Sequence, residues 1–256
     1  MEPYARALRD GGHWRASTRD WHDPRMSPTA TPPADPATPD SASPEPPDLA
    51  APPTISPTFK AISDASRTAF KYGNRYGMVP VHRAGLAAWL GNPLTGWQCL
   101  LTTTGRRSGL PRHTPLGYMV ADGAAWVMAG YGPSTLWYRN LLDEPRATLL
   151  LPGRPPIAAQ ANEARDPSVR ARIIPALARS MALPGAMIGC FPPTATDERI
   201  LELLTWIPLI RIAPADGSAL AAGPDDPGGL GWTWRQALAL GFTFLGIRAL
   251  WGLLHR

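Results

Sequence analysis

The densest chemistry in the chain is the stretch Gly105-Arg106-Arg107-Ser108-Gly109, followed by Arg112, Thr114 and Pro115. Two glycines permit left-handed backbone, so successive N–H groups can point into one concavity that suits an anion. Two adjacent guanidiniums grip phosphate oxygens in pairs, and Ser108 adds a hydroxyl donor. Arg112 extends the basic patch in the direction of a carboxylate tail. Taken alone, the same five residues also describe a hairpin turn whose arginines face water, and the spacing does not choose between the two readings.

A second group lies downstream. Gly130-Tyr131-Gly132 follows an apolar run and lets backbone approach a flat ligand, while Trp137 and Tyr138 either wall an aromatic slot or pack in the core. Thr114 and Pro115 pass beside the same slot, although Pro115 also fits the start of a strand. Other catalytic patterns are missing from the sequence: it has no P-loop, no H-E-x-x-H and no G-x-S-x-G. Its five histidines are scattered, and Asp143-Glu144 reads as a solvated helix end. Chemistry without a side-chain nucleophile or metal points to a bound organic cofactor.

These residues need a scaffold, and the composition bounds it. The chain has 256 residues, 44% of them apolar, with a net charge of +5 and only two lysines, Lys60 and Lys71. No block of five or six like charges occurs, so a nucleic-acid arm is not expected. Cys99 and Cys190 lie far apart without metal spacing, which fits a reducing, cytoplasmic setting and no metal site. No signal-peptide pattern opens the sequence. Residues 24–57 hold twelve of the 31 prolines. We read 1–58 as an extension too poor in apolar residues to offset its ordering entropy.

From 59 onward the pattern is that of a folded domain ending near 214. Residues 59–90 read as one or two short helices broken at Gly73, Gly77 and Pro80. Residues 96–104 read as a strand. Residues 114–132 read as two strands around Asp122-Gly123, a strong hairpin signal. A helix over 134–145 follows. A strand, Pro-Gly turn and strand then occupy 146–166. The next helix is capped by Asp166 and kinked or ended by Pro175. A short helix after Thr196 and a last strand at 207–214 complete the set. The fold class is mainly β with flanking helices (α+β): a small antiparallel barrel with helices against its side. A Gly/Pro/Asp linker (215–231) leads to an apolar segment, 232–256, with Trp232, Trp234 and Trp251 near its ends. It is either a helix buried against the domain or a partner chain, or one that contacts a membrane by spanning it or lying in its interface.

The motifs LLTTTGRRSGLPRHTPLGYM, ADGAAWVMAGYG and LWYRNLLDEPRATLLL, in this order, resemble the deazaflavin-dependent nitroreductases of actinobacteria, the match covering roughly residues 60–214. The resemblance implies a six-stranded split β-barrel of the FMN-binding, pyridoxamine-oxidase-like type, and coenzyme F-420, a deazaflavin with a phosphate and an oligoglutamate tail. It places the phosphate on Arg106, Arg107 and Ser108, sets Arg112 against the acidic tail, and lines the ring slot with Thr114, Pro115, Leu116, Gly130, Tyr131, Trp137 and Asn140. The implied reaction is hydride transfer to a hydrophobic acceptor such as a quinone, with nitroaromatic reduction as a side activity; the partner is this small molecule, and a dimer fits as well as a monomer. The rivals are an FMN-dependent oxidoreductase on the same barrel and a non-catalytic deazaflavin-binding protein. Family members often carry a Ser-Lys-Gly-Gly-like stretch where this chain has AGYG, and tyrosines in the late helical region that here reads SMALPGAMIGCF.

Overall fold

A tight turn at Asp122-Gly123 folds the longest strand back on its neighbour. Both residues take left-handed backbone, with φ of 50° and 69°, as a two-residue hairpin with the sheet's twist requires. The computed structural model describes residues 73–181 and 191–254. The expected N-terminal extension over 1–58 lies outside them.

The strands are β1 (Gln98–Thr104), β2 (Pro111–Ala121), β3 (Ala124–Met128), β4 (Arg146–Leu150), β5 (Ile157–Glu163) and β6 (Leu209–Pro214). They close a six-stranded barrel in the order β1-β2-β3-β6-β5-β4, every pairing antiparallel. Closure removes free strand edges. Register follows the alternation of side chains: Leu101 sits opposite Thr114, and Val127 opposite Ile210. The inward set, including Leu101, Tyr118, Val127, Leu149 and Ile212, fills the barrel.

Helices cover the outside. A wide helical turn (Asn74–Met78) runs into α1 (Val79–Arg83), and α2 (Ala87–Leu90) follows. The expected breaks at Gly77 and Pro80 do not occur, because Pro80 falls in the first turn of α1, where no N–H is required. The interruption comes at Gly85, at φ 73°. Helix α3 (Leu136–Asp143) packs Trp137, Tyr138 and Leu141 against the barrel core. Helices α4 (Pro167–Arg179) and α5 (Asp197–Leu204) pack Ile173, Leu177, Ile200 and Leu204 on the outer faces of β3 and β6. Asp166 caps α4 through the N–H groups of Ser168 and Val169. Pro175 was expected to kink or end α4, yet the helix continues through it to Arg179. Pro175 is buried among the packed residues of α4, and burial of that face offsets the lost backbone bond.

The 215–231 segment is more than a spacer. Its Asp226 is fully buried and accepts a 2.6 Å hydrogen bond from the Tyr118 hydroxyl inside the barrel. Arg154 and the Gly223 N–H also donate to it. Helix α6 (Gly231–Leu254) then begins against α2. Arg235 donates to the Ala88 carbonyl at 3.0 Å and pairs with Asp225, and Trp89 meets Trp234 edge-on at 5.6 Å. Beyond this staple the helix leaves the domain, and residues 237–248 are exposed, so burial of this stretch against the chain's own domain does not hold. Among the described residues no helix is long and apolar enough to cross a membrane.

Candidate cofactor site

The turn between β1 and β2 is built by its own backbone. Gly105 N–H donates to the Leu110 carbonyl at 2.9 Å, and Ser108 and Gly109 both donate to the Gly105 carbonyl, at 3.1 and 2.7 Å. Gly109 sits at φ 64°. A Cβ at Gly105 would lie 3.0 Å from Ser108 Oγ and 3.2 Å from Arg112 Nε, so a side chain there would press on both. Arg112 Nη2 donates to Ser108 Oγ at 3.1 Å, joining the strand to the turn.

Asn140 of α3 fixes the turn from the other side. It is buried; its Nδ2 donates to Thr103 Oγ1 at 3.1 Å, and its Oδ1 accepts from the Arg106 backbone N–H at 3.3 Å. The α3 spacing that brings Asn140 to the turn also places Trp137 one turn earlier, partly in the barrel core and partly on the cleft wall.

Between the turn, β2, α3 and α1 lies a cleft of about 1080 Å³. Its wall contains five arginines: Arg83, Arg106, Arg107, Arg112 and Arg139. Among the described residues that line it there is no carboxylate. A cavity with five guanidiniums on its wall fits an anion with several charged groups, and its size suits a ligand as large as a deazaflavin nucleotide. The apolar part of the wall is Val79, Pro111, Pro115, Leu136 and Trp137. His113 lies between the two parts. It shares a 2.9 Å hydrogen bond with Thr102 Oγ1, and burial together with the Arg83 charge pushes its imidazole below the ordinary value, which keeps it neutral at pH 7.

Eight of the eleven expected residues line this cleft: Arg106, Arg107, Ser108, Arg112, Thr114, Pro115, Trp137 and Asn140. Leu116, Gly130 and Tyr131 do not. Leu116 shares the inward face of β2 with Tyr118 and Val120 and packs against the barrel core. Gly130 and Tyr131 follow β3 and lead into the 3₁₀ turn Gly132–Ser134. The constrained glycine of that motif is Gly132, at φ 72°, where a Cβ would come within 2.5 Å of Trp206. Tyr138 is core, as the alternative reading had it. Sequence reasoning missed Val79, Arg83, Pro111, His113, Leu136 and Arg139. Arg139, beside Asn140 in the same helix, could have been found from its neighbour; Val79 and Arg83 come from a segment with no motif.

Cys99 is wholly enclosed and burial pushes its thiol up to about 12, so it is inert. Among the described residues no group of three or more His, Cys, Asp and Glu side chains could hold a metal ion.

The closed barrel, the basic turn and the arginine-lined cleft beside an apolar wall form a site suited to an anionic organic cofactor. Residues 80–182 match the model of the family described as F420H(2)-dependent quinone reductase, a match that supports coenzyme F-420 as the cofactor. Solved structures are similar in outline. The conserved hypothetical protein Rv2991 from Mycobacterium tuberculosis is 19% identical over 55% of this chain and 91% of its own, with a TM-score of 0.37. An F420-H2 dependent reductase, FDR-A, is 20% identical over 45% of this chain and 92% of its own, with a TM-score of 0.32. HutZ, a heme storage protein from Vibrio cholerae, is 16% identical over 47% and 82%, also at 0.32. No curated protein matches the chain.

Proposed function

We propose that the domain passes a hydride from reduced F-420 to a hydrophobic acceptor of the quinone class, with activated nitroaromatics as incidental substrates. The observation that carries this reading is the cleft itself: five guanidiniums beside an apolar wall, within the segment that matches the family. When bound, reduced F-420 supplies the hydride from the central ring of its deazaflavin.

The chain's own residues bind and orient. The N–H groups of the 105–109 turn, with Arg106, Arg107 and Ser108, hold the phosphate, and Arg112 faces the acidic tail. Thr114, Pro115, Trp137 and Asn140 flank the ring, and Leu136 at the lip shields the acceptor from water. Fixed positive charge around the cleft stabilises negative charge that develops on the acceptor oxygen. The late helical region carries no phenol to donate to the acceptor, which favours acceptors activated in themselves, as quinones are. Such acceptors reside in bilayers, and we place the protein at the cytoplasmic face of a membrane, in contact with it through α6.

The reading is tested by fluorescence titration with F-420, followed by rapid mixing of the reduced complex with menadione. Saturable binding and loss of the reduced-cofactor signal on mixing are expected. Binding without oxidation by any quinone would leave a carrier of the deazaflavin, and no binding would overturn the assignment.

A further inference from the structure

We infer that α6 and the exposed rim of α2 form one lipid-docking surface, which immerses α6 in a single leaflet of an anionic bilayer. The inference deepens the membrane contact proposed above by naming the surface and the lipid class.

The first ground is the distribution of apolar side chains around α6. Leu238, Phe242 and Leu245 recur at helical spacing along one face and are all exposed. Leu240, Phe244 and Ile247 do the same along a second face. At 3.6 residues per turn, Leu238 and Leu240 point in nearly opposite directions. Leu240 and Phe242 are each 70% exposed, so neither face is covered by the domain. A partner protein or a second copy covers one stripe of a helix and leaves the other in water. A hydrocarbon phase surrounds both.

The second ground is charge. After Asp226 the sequence contains no Asp or Glu, while Arg248 and Arg256 follow Arg235, whose own charge is held by Asp225. A segment with only positive charge complements phosphatidylglycerol-type headgroups and has nothing that repels them. Trp234, Trp251 and the edge-on partner Trp89 have the amphipathic rings that settle at headgroup depth, and all three are exposed.

The third ground is continuity. Leu86, Leu90 and Leu94, each about half exposed, extend the apolar surface from α6 across α2. Four residues before α2 begins, Arg83 lines the cofactor cleft. The proposed docking surface and the cleft are thus carried by one short stretch of chain.

Vesicle flotation of the full chain tests this. Vesicles of phosphatidylcholine alone are compared with vesicles that also contain phosphatidylglycerol. The wild-type chain should float with the anionic vesicles, and raised salt should weaken it. Two double variants, Leu238→Glu with Leu245→Glu and Leu240→Glu with Phe244→Glu, should each lose about tenfold or more in lipid affinity, because each puts charge on one of the two faces. F-420 titration of the same samples should be unchanged in both variants, which separates failed docking from a failed barrel or a failed cofactor assignment. Absence of flotation with anionic vesicles overturns the inference. So does a lipid-free dimer by light scattering that only one of the two double variants abolishes, since that marks a protein interface.

Discussion

The amide of Asn140 ties the basic turn to the barrel: its Oδ1 takes the Arg106 N–H at 3.3 Å, while its Nδ2 reaches Thr103 Oγ1 at 3.1 Å. Arg106 and Thr103 lie on either side of the point where β1 ends, so one side chain of α3 sets where the turn starts. Asn140→Leu removes both bonds and leaves the Thr103 hydroxyl buried without this partner. We expect about 1–3 kcal/mol of lost stability by urea unfolding and a weaker F-420 affinity from a loosened turn. Asn140→Asp keeps the acceptor toward Arg106, so its cofactor affinity should stay nearer wild type. Equal losses in the two variants would show that the bond to Arg106 does not matter for binding.

Arg106 and Arg107 side chains are partly exposed, and solvent screens them. Charge-assisted hydrogen bonds to a phosphate still contribute roughly 1.5 kcal/mol each at the low end. The double change to alanine should therefore cut F-420 affinity by about a hundredfold. The loss should be largest at low salt, because screening already weakens the wild-type contact at high salt. Titrations at two ionic strengths check this, and a loss independent of salt would point to a folding defect instead.

Much of this site was legible because it is local. The turn, the Asp122-Gly123 hairpin and the α3 residues Trp137 and Asn140 are motifs within short windows. The barrel was visible in its succession of short strands and turn signals. What stayed hidden depends on long-range pairing. Arg83 reaches the cleft from α1, some twenty residues before the turn, and nothing in its neighbourhood marks it. Asp226 looked like one acid of a loose linker, and only barrel closure around Tyr118 shows its place. Leu116 packs against the barrel core while Thr114 and Pro115 line the cleft, a difference that strand alternation alone does not mark. Pro175 was over-read as a breaker because a packed helix face outweighs one missing hydrogen bond.

Asp226 makes the linker testable. Its carboxylate, with no exposure, joins Tyr118, Arg154 and the Gly223 N–H. Asp226→Ala strands the Arg154 charge and the Tyr118 hydroxyl, and should cost about 3–5 kcal/mol in urea unfolding. Tyr118→Phe removes one hydroxyl and leaves the ion pair, so it should cost about 1 kcal/mol. If both cost the same, the pair with Arg154 contributes nothing.

His113 predicts a pH dependence. Its imidazole titrates below the ordinary value of 6.5 because of burial and Arg83. Between that lowered value and 6.5 the unfolded chain binds more protons than the folded one, so stability falls as pH drops through 6.5. The contribution is fully present above 6.5. His113→Gln should flatten the decline in unfolding midpoint between pH 7 and about pH 5. An unchanged slope would place the titration elsewhere.

The Gly130-Tyr131-Gly132 motif looked like a place where backbone approaches a ligand, and the two glycines now part company. Around Gly130 there is open space, and its backbone is not left-handed. Gly132 holds φ 72°, and a Cβ there would sit 2.5 Å from the Trp206 ring, which is itself fixed by a 2.9 Å bond from Nε1 to the Leu203 carbonyl. Gly130→Ala should thus be neutral within about 0.5 kcal/mol. Gly132→Ala must push back an indole and hold alanine in a strained conformation, at about 2–4 kcal/mol. Thermal unfolding of the two variants checks the contrast. F-420 affinity should move little in either, because neither glycine lines the cleft; a large loss of binding in Gly130→Ala, with stability intact, would return that residue to the ring slot.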